Sequence, residues 1–273
     1  MSGAPDRYTV IGNPIAHSKS PEIHARFAAQ TGQHLVYERV LAPLDGFAST
    51  VQDLIRQGVK GANVTVPFKL DAYALASLVT ERAQAAGAVN TLSFKAGSII
   101  GDNTDGIGLV TDIVSNAGVA MRGKTVLLLG AGGAARGVLL PILEQGPAAL
   151  VITNRTVEKA EELALQFTKN GPVSASRFDA LYRPFDIIIN ATSASLSEDL
   201  PPIAPAVFCH NAFAYDMMYG KEQTIFMRFA AQHGATVRDG LGMLVEQAAE
   251  SFFVWRGVRP DTASVFAELR AKL

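Results

Sequence analysis

Apolar and polar positions fall into two successive series of short hydrophobic runs separated by amphipathic stretches. The first series holds YTVIG at 8–12, a helix opening at Pro21, LVYERV at 35–40, a helix over Phe47 to Gln57, and ANVTV at 62–66. Strands separated by helices of this length predict right-handed βαβ units and a parallel sheet. After a helical stretch ending near Gly87, VNTLSF and SIIGD flank Lys95-Ala96-Gly97, which predicts a hairpin and an antiparallel addition to that sheet. A helix from about Gly106 to Asn116 then leads through Gly118 and Gly123 into a second series: TVLLLG, a helix, ALVIT, a helix over Val157 to Lys169, FDIIIN, AFAYDMM, a helix around Thr224 to His233, and TVRD. The restart marks a domain boundary. Apolar residues at helical spacing between Gly242 and Arg256, and a final helix near Thr262 to Leu273, suit a return to the first domain. The predicted domains are 1–105 plus 241–273, and 106–240.

Composition narrows the partners. The chain has 273 residues, long enough to bury a sizeable core without a disulfide or metal staple. Lys and Arg number 24 against 25 Asp and Glu, a net charge of -1, so no basic field exists to hold nucleic acid or an anionic membrane. A single cysteine, Cys209, excludes an intrachain disulfide and fits a reducing cytosol. The five histidines form no metal-ligand spacing, and no secretory signal opens the chain, so the expectation is a metal-free cytoplasmic protein acting on a small molecule.

In the second series, Gly130-Ala131-Gly132-Gly133-Ala134-Ala135 follows a five-residue apolar run and opens a helix, the required context for a dinucleotide loop of Rossmann type. Backbone N–H groups there can approach a pyrophosphate at the positive end of a helix. Where an NAD enzyme places an acid for the ribose 2′-OH, this chain has Asn154, Arg155 and Thr156, with Lys159 one turn later. A carboxylate would repel a 2′-phosphate, whereas a guanidinium grips it, so NADP is favoured over NAD. The bland alternative makes Arg155 a solvated charge and Thr156 an N-cap.

The first series carries polar groups at the ends of its strands. Alternation in the 62–66 strand puts Val64 and Val66 on one face and Asn63 and Thr65 on the other. Pro67 suits a first helical position, which places Lys69 in the first turn, where the helix dipole disfavours a cation unless an anion compensates. Asn90 and the loop Gly101-Asp102-Asn103-Thr104-Asp105-Gly106 offer partners, although Asp105 reads equally as an N-cap. Ser18-Lys19-Ser20-Pro21 reads as a helix start with Ser20 as cap.

These motifs resemble the bacterial shikimate dehydrogenase family over essentially the whole chain. The matching stretches are GNPIAHSKSPEIH (12–24), KGANVTVPFK (60–69), AGAVNTL (86–92), GDNTDGIGL (101–109), LLGAGGAARGVLLP (128–141), ITNRT (152–156), INATS (189–193), YDMMY (215–219) and DGLGMLVEQAA (239–249). The resemblance implies an α/β chain of two domains, an N-terminal substrate domain and a Rossmann-type NADP domain, with the active site in the cleft between them. It implies NADPH-linked reduction of 3-dehydroshikimate to shikimate, on the way to chorismate and the aromatic amino acids; the sequence leaves monomer and homodimer both open. By motif, Ser18 and Ser20 would hold the substrate carboxylate; Asn63, Thr65, Asn90 and Gln247 its hydroxyls; Lys69 and Asp105 would transfer the proton; and Tyr215 would border the substrate. Gly130 to Ala135, Asn154, Arg155, Thr156, Lys159, Ala191, Thr192, Met217 and Gly240 would surround NADP.

The chain departs from the family pattern in two loops. Ile225 stands where a proline precedes Phe226, and Ala194-Ser195-Leu196 replaces a glycine-containing turn. Alternatives are a quinate/shikimate dehydrogenase of broader substrate and cofactor use, and a non-catalytic NADP-binding regulator. The cofactor assignment yields a direct test: Arg155→Ala should weaken NADPH binding far more than NADH binding in paired titrations, and equal losses would remove Arg155 from phosphate recognition.

Overall fold

The computed structural model describes residues 3–192 and 199–273. The chain divides into two compact units, residues up to Gly108 with Val245–Leu269, and Leu109–Leu244 with Arg270–Leu273. These limits differ from those expected from the sequence. The last residues side with the second unit because Arg270 ion-pairs with Asp239. No described helix is long and apolar enough to cross a membrane.

The first unit is built on β1 (Asp6–Gly12), α1 (Ser20–Thr31), β2 (Leu35–Leu41), α2 (Phe47–Arg56), β3 (Gly61–Val64), α3 (Lys69–Leu75), β4 (Leu78–Val79), α4 (Glu81–Ala86), β5 (Thr91–Lys95) and β6 (Ser98–Asp102). Its sheet runs β2-β1-β3-β5-β6-β4; β1 is parallel to both neighbours, and β5 is antiparallel to β3 and β6. The hairpin between β5 and β6 turns on Ala96 and Gly97, both at positive φ, the geometry that a two-residue loop needs to match strand twist. Ile11, Val64 and Leu92 meet Phe47, Val51 and Phe68 in one core under this sheet.

Two local expectations are corrected. Strand β3 stops at Val64 because Pro67, which has no N–H, cannot extend the ladder; Val64 is 2% exposed whereas Val66 is 67% exposed, so they do not share a buried face. Pro67 accordingly lies in a turn, not at a first helical position, and α3 starts at Lys69 with Phe68 before it.

The second unit contains β7 (Thr125–Leu129), α6 (Gly133–Glu144), β8 (Ala149–Thr153), α7 (Val157–Gln166), β9 (Val173–Ser176), β10 (Phe185–Asn190), β11 (Phe208–Asp216), α8 (Ile225–Gln232) and β12 (Thr236–Asp239). All its pairings are parallel, in the order β12-β11-β10-β7-β8-β9. Numbered within the unit, that is the doubly wound order 3-2-1-4-5-6 read in reverse, with the direction of winding switching between β7 and β10. β9 was not expected from the sequence. Its VSAS segment is a polar edge strand without an apolar run.

Two helices join the units along the chain: α5 (Asp105–Thr111), prolonged by a π-helical turn at Asp112–Asn116, and α9 (Leu241–Arg256), followed by α10 (Ala263–Ala271). Asp112 is fully buried in the second unit, where it accepts from Arg238 Nε at 2.8 Å and Nη2 at 2.6 Å, and from the Tyr215 hydroxyl at 2.8 Å. A methyl group on Gly242 would fall inside this carboxylate. Gly242→Ala should therefore displace Asp112 and lower unfolding stability by roughly 3 kcal/mol in urea titrations, the scale of a disrupted buried ion pair. Wild-type stability would show that the helix start shifts freely.

Candidate active site

The first unit gathers Lys69, Asp105, Asn63, Asn90 and Gln247 into one hydrogen-bonded system. Lys69 opens α3 and Asp105 opens α5, so both lie at positive helix ends. Lys69 Nζ donates to Asp105 Oδ2 at 2.6 Å, which supplies the compensating anion anticipated above. Asp105 is the first helical residue, after Thr104; its second carboxylate oxygen accepts from Asn90 Nδ2 at 2.8 Å. The same Asn90 amide reaches Thr104 Oγ1 at 2.9 Å and Gln247 Oε1 at 3.4 Å.

Backbone ties fix this arrangement. Val64 N–H donates to Asn90 O, Asn90 N–H to Asp102 O, and Val89 N–H to Lys69 O. The loop before Asp105 is clamped by Asp102, which accepts from Arg82 Nε and Nη2, each at 2.7 Å. Burial alone would raise the Asp102 pKa, but the two-point contact with Arg82 outweighs it and holds the carboxyl below its ordinary range.

A second polar strip adjoins Asn63. Ser18 Oγ and Ser20 Oγ lie 3.2 Å apart. Ser20 is not the N-cap of α1 but its first helical residue, with Lys19 in the cap position and no side-chain cap bond; its hydroxyl lies 3.2 Å from that of Ser18 and near Tyr37. Tyr37 donates to Asn63 Oδ1 at 2.7 Å, and Asn63 Nδ2 donates to Asn90 O, Thr91 Oγ1 and Ser251 Oγ. Asn63 is thus occupied by the protein on both ends of its amide. Thr65 sits half-buried just beyond β3, in the same strand-to-helix connection as Lys69.

In the second unit the cofactor candidates follow one line. Leu129, Thr153, Asn190, Asp216 and Asp239 are in register across five adjacent strands. Gly130, Asn154, Ala191, Met217 and Gly240 are the residues that come next on each. Gly130 has φ +108°, and a Cβ there would lie 3.2 Å from Ala191 O; a Cβ on Gly240 would strike the Met217 carbonyl. Gly132 and Gly133 face open space, and α6 begins there without a side-chain cap or first-turn acid, so its N–H groups remain available to an anion. The side chains of Arg155 and Lys159 are exposed and make no hydrogen bond or ion pair among the described residues, while Asn154 donates to Thr156 O at 2.8 Å. Thr156 occupies the N-cap position of α7 without a cap bond, and Ala131, Ala134 and Ala135 complete the loop and first turn of α6. Thr192 Oγ1 is 2.7 Å from Asn190 Oδ1. This cradle fits a dinucleotide.

Tyr215 is different. It is fully buried in the second unit, and its hydroxyl is committed to Asp112, so it is not presented as an open substrate contact. The altered turn at Ala194-Ser195-Leu196 lies outside the described residues. No group of three or more His, Cys, Asp or Glu among the described residues could hold a metal ion.

Three family models match the chain: "Shikimate dehydrogenase substrate binding domain" over 10–92, "Shikimate / quinate 5-dehydrogenase" over 112–197, and "Shikimate 5'-dehydrogenase C-terminal domain" over 240–270. A shikimate dehydrogenase (NADP(+)) of Janthinobacterium sp. (strain Marseille) is 68% identical over 273 residues, the whole of both chains. The chain belongs to the shikimate dehydrogenase family. Its fold is also that of solved structures: an Ael1 enzyme from Pseudomonas putida shares 51% identity at a TM-score of 0.94, covering 97% of this chain and 98% of that one. The shikimate 5-dehydrogenase of Thermus thermophilus, solved with NADP(H) and shikimate, shares 33% identity at a TM-score of 0.88, covering 98% and 100%.

Sequence reasoning did not single out Tyr37, Thr104 or Ser251. Thr104 stood within a quoted motif, but Tyr37 and Ser251 join the network only through contacts 26 and 188 residues away in sequence. Next to Tyr37, His24 is buried among Phe27, Phe252 and Trp255, and burial drives its pKa down to about 3. Between that value and its ordinary 6.5, the unfolded chain binds a proton that the native protein refuses, so stability falls as pH drops. The difference in unfolding free energy between wild type and His24→Phe should shift by roughly 2 kcal/mol against wild type from pH 7 to pH 5, read by urea titration. A pH-independent difference would mean that His24 is protonated in the fold.

Proposed function

We propose that the protein reduces 3-dehydroshikimate to shikimate with NADPH, reversibly. The observation that carries this reading is the 2.6 Å Lys69–Asp105 pair set among Asn90, Gln247 and Asn63, with two serine hydroxyls close by. A hydroxylated cyclohexene carboxylate needs that set of partners: hydroxyl donors for its carboxylate, amides for its ring hydroxyls and a proton donor for its carbonyl oxygen. Bound NADPH would supply the hydride.

Ser18 and Ser20 hold the carboxylate and fix which end of the ring enters. Asn90, Gln247 and Thr65 bond the ring hydroxyls, with Asn63 setting the frame behind Asn90. Lys69 donates to the carbonyl oxygen, meets the negative charge that grows there and passes its proton to it. Asp105 aims the ammonium; in the oxidative direction the neutral amine of Lys69 accepts the hydroxyl proton. Gly130 to Ala135 would receive the pyrophosphate, and Arg155 with Lys159 the 2′-phosphate; Ala191, Thr192, Met217 and Gly240 line the strand ends beside them.

Spectrophotometric assay of NADP reduction with shikimate tests the reaction, and parallel assays with quinate and with NAD test its breadth. Lys69→Ala should lower kcat by on the order of 10²-fold or more with NADPH affinity little changed. An unaltered kcat would take Lys69 out of the proton transfer.

A further inference from the structure

His24 is an anomaly in the first unit. Its ring is 1% exposed and stacks face to face on Tyr37, with centroids 4.2 Å apart and planes 3° from parallel. Phe27, Phe252 and Trp255 complete an aromatic cage that a phenylalanine would suit at least as well. Yet Nδ1 and Nε2 are both buried without a hydrogen-bond partner among the described residues. An imidazole in such a cage forfeits its hydration and regains nothing, so its polar atoms are uncompensated in this state.

The polar side chain near the ring is Asn63, which is not hydrogen-bonded to it and is tied to the hydroxyl of Tyr37, on which the ring stacks. In this structure Asn63 Oδ1 is served by the Tyr37 hydroxyl at 2.7 Å, with Ser20 nearby but not hydrogen-bonded to Tyr37. Tyr37 has one proton to give. On the functional reading above, Ser18 and Ser20 receive a carboxylate, an ionised acceptor stronger than a neutral amide oxygen. When the carboxylate draws the Ser20 and Tyr37 hydroxyls toward itself, Asn63 Oδ1 loses its donor in a buried place.

We propose that His24 is a positioning residue for substrate binding, the reserve donor whose ring N–H takes over Asn63 Oδ1 when the substrate carboxylate engages Ser20 and Tyr37. No proton changes owner: a neutral imidazole carries one N–H, which turns from unpaired to paired while the Tyr37 O–H changes acceptor. Asn63 keeps its grip on Asn90 O and Ser251, and through Asn90 on Asp105.

His24→Phe keeps the stack and removes the donor, whereas His24→Gln restores an N–H near the position of Nε2. The Phe variant should raise KM for shikimate about tenfold while kcat and KM for NADP stay within about twofold of wild type, and the Gln variant should recover most of the loss. A KM unchanged in the Phe variant, or an equal rise in both variants, overturns the role. Wild-type turnover of shikimate separately checks the functional reading on which this one rests; without it, both fall. Folding of the variants is bypassed by 15N-histidine NMR of the wild type, where the His24 nitrogens should shift on saturation with shikimate alone. Constant shifts would overturn the proposal.

Discussion

Lys69 begins a helix at the end where peptide dipoles present positive charge, and its ammonium is held in place there by Asp105 at 2.6 Å. Much else in the first unit exists to keep that carboxylate still. Asp105 itself sits favourably at a helix start, with Asn90 binding its second oxygen. Asn90 is fixed through its backbone to β3 on one side and to Asp102 on the other, and Asp102 is locked by Arg82. Remove any of these ties and the lysine regains the freedom of a surface cation. The site is therefore a chain of dependencies ending in one N–H donor, which on the proposed reading serves proton transfer to a small carbonyl.

The second unit meets a different demand with less machinery. A parallel sheet whose five strand ends are in register places five unrelated residues along one edge, and the reversal of winding beside β7 leaves that edge accessible. Binding there uses backbone N–H groups and glycine's lack of a side chain more than any specific reactive group. On the proposed reading, phosphate discrimination is left to the exposed side chains of Arg155 and Lys159 after β8, which make no hydrogen bond or ion pair among the described residues.

Features encoded by neighbouring residues were legible in the sequence. The glycine loop, the β5–β6 turn and the alternating strand and helix pattern all depend on contacts within a few positions. What escaped were features set by distant parts of the chain. Ser251 reaches Asn63 across 188 residues, and Tyr37 is turned toward Asn63 by the His24 stack. Asp112 reads as an ordinary helix position until Arg238, Tyr215 and Gly242 close around it. The β3 boundary was misread for the opposite reason: alternation in the apolar pattern continued past the point where Pro67 ends the ladder.

The discontinuity of the first unit bears on how the chain acquires its structure during synthesis. Residues Leu109–Leu244, all of the second unit except Arg270–Leu273, form an uninterrupted stretch and can become compact once they have left the ribosome. The first unit lacks Ser251, Phe252 and Trp255 until translation has passed through Leu109–Leu244, so Asn63 and the aromatic cage around His24 stay unfinished although their own strands emerge before that stretch. Residues made before Leu109 thus belong to a part that is completed only after Leu244, and it is for them that a chaperone would have to wait.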